Sequence, residues 1–247
     1  MQAHEAWRPR LYVEAALAEG ARLALPAAAA HHATHVLRLR PGEALVLFDG
    51  QGGEYEARLA GTSRAGVEVE VLAHRPVERE SPLRIVLVQG VSAGAKMDAT
   101  VRHAVELGVA AIQPVFCERS LVRLADERAR ARAAHWRRVA IAACEQCGRN
   151  RVPEVRDPLP LALYCHRPDE VGLRLQLSPR AKRRLRELPA QAYVLAVGPE
   201  AGFTSAEESA LEAAGFVPAR LGPRVLRTET AALAAIAALE ALYGESG

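Results

Sequence analysis

Tyr193-Val-Leu-Ala-Val-Gly-Pro-Glu-Ala-Gly-Phe203 joins an apolar run to a glycine-proline loop, and Leu221-Gly-Pro-Arg-Val-Leu-Arg-Thr-Glu-Thr-Ala231 follows the next strand-like run with a loop of the same kind. The apolar residues 193–197 do not alternate with polar ones, as expected of a strand covered on both faces. Thr204-Ser-Ala-Glu207 and Ser205-Ala-Glu-Glu208 both fit a capping box, so a helix is expected to begin there, with Gly215 ending it and a strand over 217–221. Strand, helix, strand implies a parallel α/β sheet. Ligands of such sheets bind beyond the carboxyl ends of the strands, where both loops fall. Neither loop carries the Gly-x4-Gly-Lys-Ser/Thr of a P-loop or the Gly-x-Gly-x-x-Gly of a dinucleotide site. Spacing alone fits an ordinary tight connection equally well.

The same texture extends upstream. Leu83–Val88 reads as another buried strand, residues 96–107 as a helix with Met97, Val101 and Val105 on one face, and Val109–Val115 as the next strand. A long Arg-rich helix is expected over 124–148, strands near 161–165 and 171–175, and a basic helix near 179–188. An Ala/Leu/Ile helix over Ala231–Tyr243 carries few charges and needs cover on most sides. The opening of the chain differs. Ala44–Phe48 is a short apolar strand, Glu54–Leu59 and Val67–Val71 alternate apolar with polar, and Asp49-Gly-Gln-Gly-Gly53 supplies a glycine-rich reversal. The segment 74–82 is charged and holds two prolines, which sets a boundary at 74/75: a small β-barrel over 1–74 and an α/β domain over 75–247.

Half of the 247 residues are hydrophobic and the net charge is +3, so a large core is available and any nucleic-acid contact must come from local clusters. Two such clusters stand out: Arg128, Arg130, Arg132, Arg137 and Arg138, and Arg180, Lys182, Arg183, Arg184 and Arg186. Either also fits a solvated face. No apolar run approaches a membrane span, and no leader-like segment opens the chain, which points to a cytoplasmic protein with reduced thiols. Cys144-x-x-Cys147 has no second pair at zinc-finger spacing, and His31, His32 and His35 fit a helix surface, so no metal is expected.

Taken together, Gly198–Phe203, Leu221–Ala231, His32-x-x-His35-Val-Leu-Arg38, Phe48-Asp-Gly50, Lys96-Met-Asp98, Glu106-Leu-Gly-Val109 and Glu145-Gln-Cys-Gly-Arg149 with Val152-Pro153 resemble, in order and spacing, the family called ribosomal RNA small subunit methyltransferase E. The resemblance covers nearly the whole chain. It departs at Ala201, where the family usually has a second glycine, and at His103, where it often has lysine. The resemblance implies a SPOUT α/β knot, with a C-terminal trefoil knot and a parallel sheet, preceded in the chain by a PUA-like β-barrel. It also implies a homodimer that binds S-adenosyl-L-methionine and methylates N3 of a uracil in 16S rRNA of the small ribosomal subunit.

On that resemblance Gly198, Glu200, Gly202, Leu221, Gly222, Arg224 and Leu226 are expected to hold the cofactor, mostly through backbone groups. A neutral uracil N3 keeps its proton, so a base or nearby cations must favour the anion. Arg149, Arg227 and Glu229 are the candidates for that work, with Glu229 orienting a proton acceptor. Arg38, Arg138 and Arg149 are candidates for RNA contact; on a continuous helix Arg138, Glu145 and Arg149 would form one stripe. Arg149 also fits a phosphate contact or a helix-terminal charge. Three other readings remain open: a SPOUT enzyme acting on a transfer-RNA base or ribose hydroxyl, a non-catalytic RNA-binding protein of the same fold, and a Rossmann-like enzyme without its glycine fingerprint. Cofactor binding separates the first two.

Overall fold

The computed structural model describes residues 8–63, 66–120, 126–167 and 170–244. The chain divides into two units: residues 1–80 with 144–152, and residues 81–143 with 153–247. The first break thus falls within the charged, proline-bearing segment, after Glu80. The return of residues 144–152 to the first unit has no counterpart in the reading of the sequence.

In the first unit, β1 (Arg10–Tyr12), β2 (Arg22–Ala24), β3 (Ala44–Phe48), β4 (Glu54–Ser63) and β5 (Gly66–Arg75) form one sheet in the order β1-β3-β4-β5-β2. β3, β4 and β5 make an antiparallel meander, while β1 joins β3 in parallel. Alternation decides which way each strand faces: Val67, Val69 and Val71 point into the core, and Glu70 points out to pair with Arg58. Gly50, Gly52 and Gly53 all have positive φ, so the reversal between β3 and β4 needs its glycines. Register shifts between Glu56 and Ala57 and between Leu59 and Gly61 bend the long β4–β5 pair. Together with α1 (Ala27–His31) the strands enclose a core that includes Leu11, Leu25, Leu45, Leu47 and Leu59.

The second unit holds β6 (Arg84–Gly90), α2 (Ala95–Glu106), β7 (Ala111–Phe116), most of α3 (Asp126–Cys147), β8 (Glu154–Val155), β9 (Leu159–Pro160), α4 (Leu161–Cys165), β10 (Leu173–Leu177), β11 (Ala192–Val197), α5 (Ser205–Ala213), β12 (Val217–Ala219) and α6 (Thr228–Tyr243). The strands are all parallel, in the order β12-β10-β11-β6-β7-β8, with β9 against β7. After β11 the chain passes over β10 to lay β12 on its far side. It then returns as α6, which packs on α2, β6 and β11. The loops after β10, β11 and β12 therefore meet at one end of the sheet. Of the two capping boxes in the sequence the structure uses Thr204 with Glu207, both halves formed.

Three expectations are corrected. Residues 161–165 are helical, burying Leu161 and Tyr164 at i and i+3, because a short apolar run fits either period. The basic stretch 179–188 is an irregular strap, turned at Pro179–Arg180 and with one 3₁₀ turn over Leu185–Glu187. As a helix it would have stacked like charges at i, i+3 and i+4; instead its backbone pairs with Arg220 beyond β12. Finally, α3 stops at Cys147, and Gly148 turns the chain away at φ +89°. Arg149 is not on the helix, and the stripe with Arg138 and Glu145 is not formed.

Candidate functional site

A cavity of about 440 Å³ lies where the loops after β10, β11 and β12 converge. That is within the range of small-molecule pockets. Its walls are Leu177–Arg180, Val197–Phe203, Ala219–Gly222 and Arg224–Leu226, closed by Thr228 and Ala231 of α6. All seven residues expected at a cofactor site (Gly198, Glu200, Gly202, Leu221, Gly222, Arg224 and Leu226) line it.

The two main loops are locked together by a buried chain of hydrogen bonds. The Gln89 side-chain amide donates to Thr228 Oγ1 (3.0 Å) and to the Gly90 carbonyl (3.0 Å), and the Thr228 hydroxyl donates to the Gly198 carbonyl (2.5 Å). Gln89 is fully buried and Thr228 nearly so. The sequence pattern did not single out these residues, although a Gln directly after the apolar run Ile85–Val88 was a signal, since a buried amide must find partners. Gly90 matters for a different reason. A Cβ there would lie 2.5 Å from the Pro199 nitrogen and 2.9 Å from the Gly198 carbonyl carbon, so the β6 end abuts the loop backbone directly. Gly202 has φ +69°, whereas Ala201 does not enter the left-handed region, so the alanine at 201 is accommodated.

Charges ring this frame. Glu200 accepts from Lys96 Nζ and from the Ala93 amide, each at 3.3 Å. Partial burial alone would raise its pKa, but hydrogen bonds from its own backbone amide, the Ala93 amide and Lys96, with the Lys96 charge, outweigh it and hold the carboxyl below its ordinary value. Its Oε2 is buried and has no hydrogen-bond partner among the described residues. Arg119, which also lines the cavity, donates to the Ala201 and Phe203 carbonyls (3.3 and 3.4 Å) and braces the loop. Arg227 is exposed and caps α6, with Glu229 two residues on; Glu229 Oε2 is likewise buried without a partner among the described residues. Arg227 and Glu229 therefore flank the cavity-lining Thr228.

Arg149 belongs to the first unit, where it is 4% exposed and paired through Nε and Nη2 with the Glu80 carboxylate. Around it Arg10 bonds Glu54 and the Asn150 side chain, Arg79 bonds Glu54, and Asn150 donates to the Val77 carbonyl. Glu145 accepts from the Tyr12 amide (3.0 Å) and sits 3.4 Å from His32; burial is the main cause of its raised pKa. Burial likewise pushes the Cys144 thiol up to about 12, so it is no nucleophile. Arg38 is exposed, at φ +55°, and Arg138 is exposed on α3. Among the described residues no group of three or more metal-ligating side chains is present, and no helix is long and apolar enough to cross a membrane.

A parallel α/β unit with a loop-built cavity at its strand ends, together with a β-barrel unit, defines an RNA methyltransferase of the SPOUT type with a PUA-like domain. The RNA methyltransferase domain family matches residues 79–240, and the RNA methyltransferase PUA domain matches residues 25–72. The chain belongs to the ribosomal RNA small subunit methyltransferase E family. It is 33% identical over 244 residues to the member from Buchnera aphidicola subsp. Schizaphis graminum, covering 96% of this chain and 97% of that one. The crystal structure of the Neisseria gonorrhoeae member bound to S-adenosyl methionine is 41% identical, with TM-score 0.89 over 98% of this chain and all of that one. A Legionella pneumophila methyltransferase in complex with bound cofactor SAM superposes with TM-score 0.93 at 38% identity, over 97% of this chain and all of that one.

Proposed function

We propose that the protein transfers the methyl group of S-adenosyl-L-methionine to N3 of a uridine in 16S rRNA of the small ribosomal subunit. The observation that carries this reading is the cavity lined by all seven residues expected, from the two signature loops, to hold the cofactor. Its chemistry fits the cofactor. Leu177, Val197 and Leu226 give apolar wall for an adenine, and the loops offer backbone groups. The unpartnered oxygen of the cavity-lining Glu200 can accept from amino or hydroxyl groups and favour a cation nearby.

When bound, S-adenosylmethionine supplies an electrophilic methyl on a sulfonium. The chain's own work is to hold the uracil N3 in line with it and to remove the N3 proton. Arg227 and Glu229 do not line the cavity but adjoin the lining Thr228 in the chain; we propose that exposed Arg227 stabilises the anionic ring and that Glu229 orients the group that takes the proton. Arg149, already neutralised by Glu80, is better suited to hold residues 144–152 in the first unit than to meet the base. Exposed Arg38 and Arg138 remain the proposed RNA contacts. We also infer a homodimer: α6 leaves Leu242 45% exposed beside a groove that Leu185, Leu221, Pro223, Ala238 and Ala241 line. Four free cysteines agree with a cytoplasmic setting.

Thermal unfolding tests the cofactor half of this reading. At a hundred times its Kd, S-adenosylmethionine should stabilise the folded chain by about 2.7 kcal/mol. That raises Tm by roughly 5–11 °C at about 2–4 °C per kcal/mol. No shift at millimolar cofactor would overturn it.

A further inference from the structure

The strap over Pro179–Glu187 is the most basic segment of the second unit that the proposed reaction leaves unused. Two short side chains anchor it: Ala181 and Leu185 are 7% and 3% exposed. Its backbone is fixed at several points. The Arg220 amide donates to the Arg183 carbonyl, the Leu185 amide to the Arg220 carbonyl, and the Tyr243 hydroxyl to the Arg186 carbonyl. Between the anchors, Arg180, Lys182, Arg183, Arg184 and Arg186 all face solvent. Arg180 pairs with Glu208 and Arg184 with Glu187, while Lys182, Arg183 and Arg186 have no acidic partner among the described residues.

A solvated helix face would let such side chains spread around a cylinder. Here an irregular backbone, turned at Pro179–Arg180 and again at Leu185–Glu187, is pinned at fixed points and sets them out beside the end of β12. The strap also begins at the cavity, because Ser178, Pro179 and Arg180 form part of its wall. A polyanion lying along the strap is thereby led to the place where the methyl group would be transferred.

We propose that the strap is a phosphate-contacting RNA surface, with Lys182, Arg183 and Arg186 as its principal contacts. This rests on the reading of the protein as an RNA methyltransferase and adds where the substrate backbone runs. The contacts are to phosphates, so they carry affinity and register rather than sequence.

The test compares wild type with the triple variant Lys182→Gln/Arg183→Gln/Arg186→Gln and with the charge-preserving variant Arg183→Lys/Arg186→Lys. Binding of unmodified small-subunit 16S RNA is measured across a salt series, alongside S-adenosylmethionine affinity and methyl transfer. The triple variant should bind RNA at least about tenfold more weakly at low salt. Its log–log salt slope should fall by about 2–3, at roughly 0.7–0.9 for each phosphate no longer neutralised. Cofactor affinity should stay unchanged, the KM for RNA should rise with little change in kcat, and the charge-preserving variant should bind like wild type. An unchanged salt slope in the triple variant, or equal weakening in the charge-preserving one, would overturn the proposal. Failure of wild type to transfer methyl groups while it still binds RNA through the strap would instead count against the proposed reaction alone.

Discussion

Gly90→Ala is expected to weaken S-adenosylmethionine binding by about 10- to 100-fold with little effect on the first unit. The added Cβ would sit 2.5 Å from the Pro199 nitrogen and 2.7 Å from its Cδ. Those atoms belong to a ring and a backbone, which cannot rotate aside as a flexible side chain would. The loop over 198–203 must back away, and with it the carbonyl that Thr228 holds. Overpacking of this kind costs roughly 1–3 kcal/mol. If the loop can bind only in its original position, that cost appears in the affinity at about 1.4 kcal/mol per factor of ten. Gly61→Ala is the matched control, since its Cβ would meet nothing within 4 Å. Calorimetric titration of both variants gives the answer, and equal affinities would mean that the close approach of β6 to the loop does not shape the pocket.

Arg149→Ala should destabilise the first unit by about 2–4 kcal/mol. Removing one member of a buried ion pair costs roughly 3–5 kcal/mol because the other charge is left behind without compensation. Glu80 keeps 24% of its side chain exposed and can be partly rehydrated, which lowers the expectation. Arg149→Lys should recover only part of the loss, because an ammonium cannot match the two-point contact of the guanidinium. Urea unfolding measures both. The opposite pattern, full stability with methyl transfer abolished and cofactor binding intact, would return Arg149 to the substrate role that the sequence suggested.

Much of the second unit was legible because buried parallel strands read as apolar runs with little polar alternation. Residues 193–197 and 83–88 declared themselves, and the Thr204–Glu207 box fixed the start of α5. The cavity was legible because both signature loops follow such strands. Short elements were not: Leu161–Cys165 fits either period, and only the proline-led turn and the burial of Tyr164 decide for helix. The strap was misread as a helix because its repelling like charges were given too little weight and because its path is determined by hydrogen bonds to Arg220, distant in sequence. The place of Arg149 was hidden for a similar reason. A single left-handed glycine at 148 ends the helix, and the partner that then receives the arginine, Glu80, lies far back in the chain. The lock of Gln89 on Thr228 joins residues from β6 and α6, and no local pattern links those two.

The most direct test of the central claim is transfer of a labelled methyl group from S-adenosylmethionine to small ribosomal subunits isolated without the modification, followed by digestion to nucleosides. Label is expected in N3-methyluridine of 16S rRNA and in no other nucleoside. Label in a ribose-methylated nucleoside, or transfer to transfer RNA alone, would contradict it.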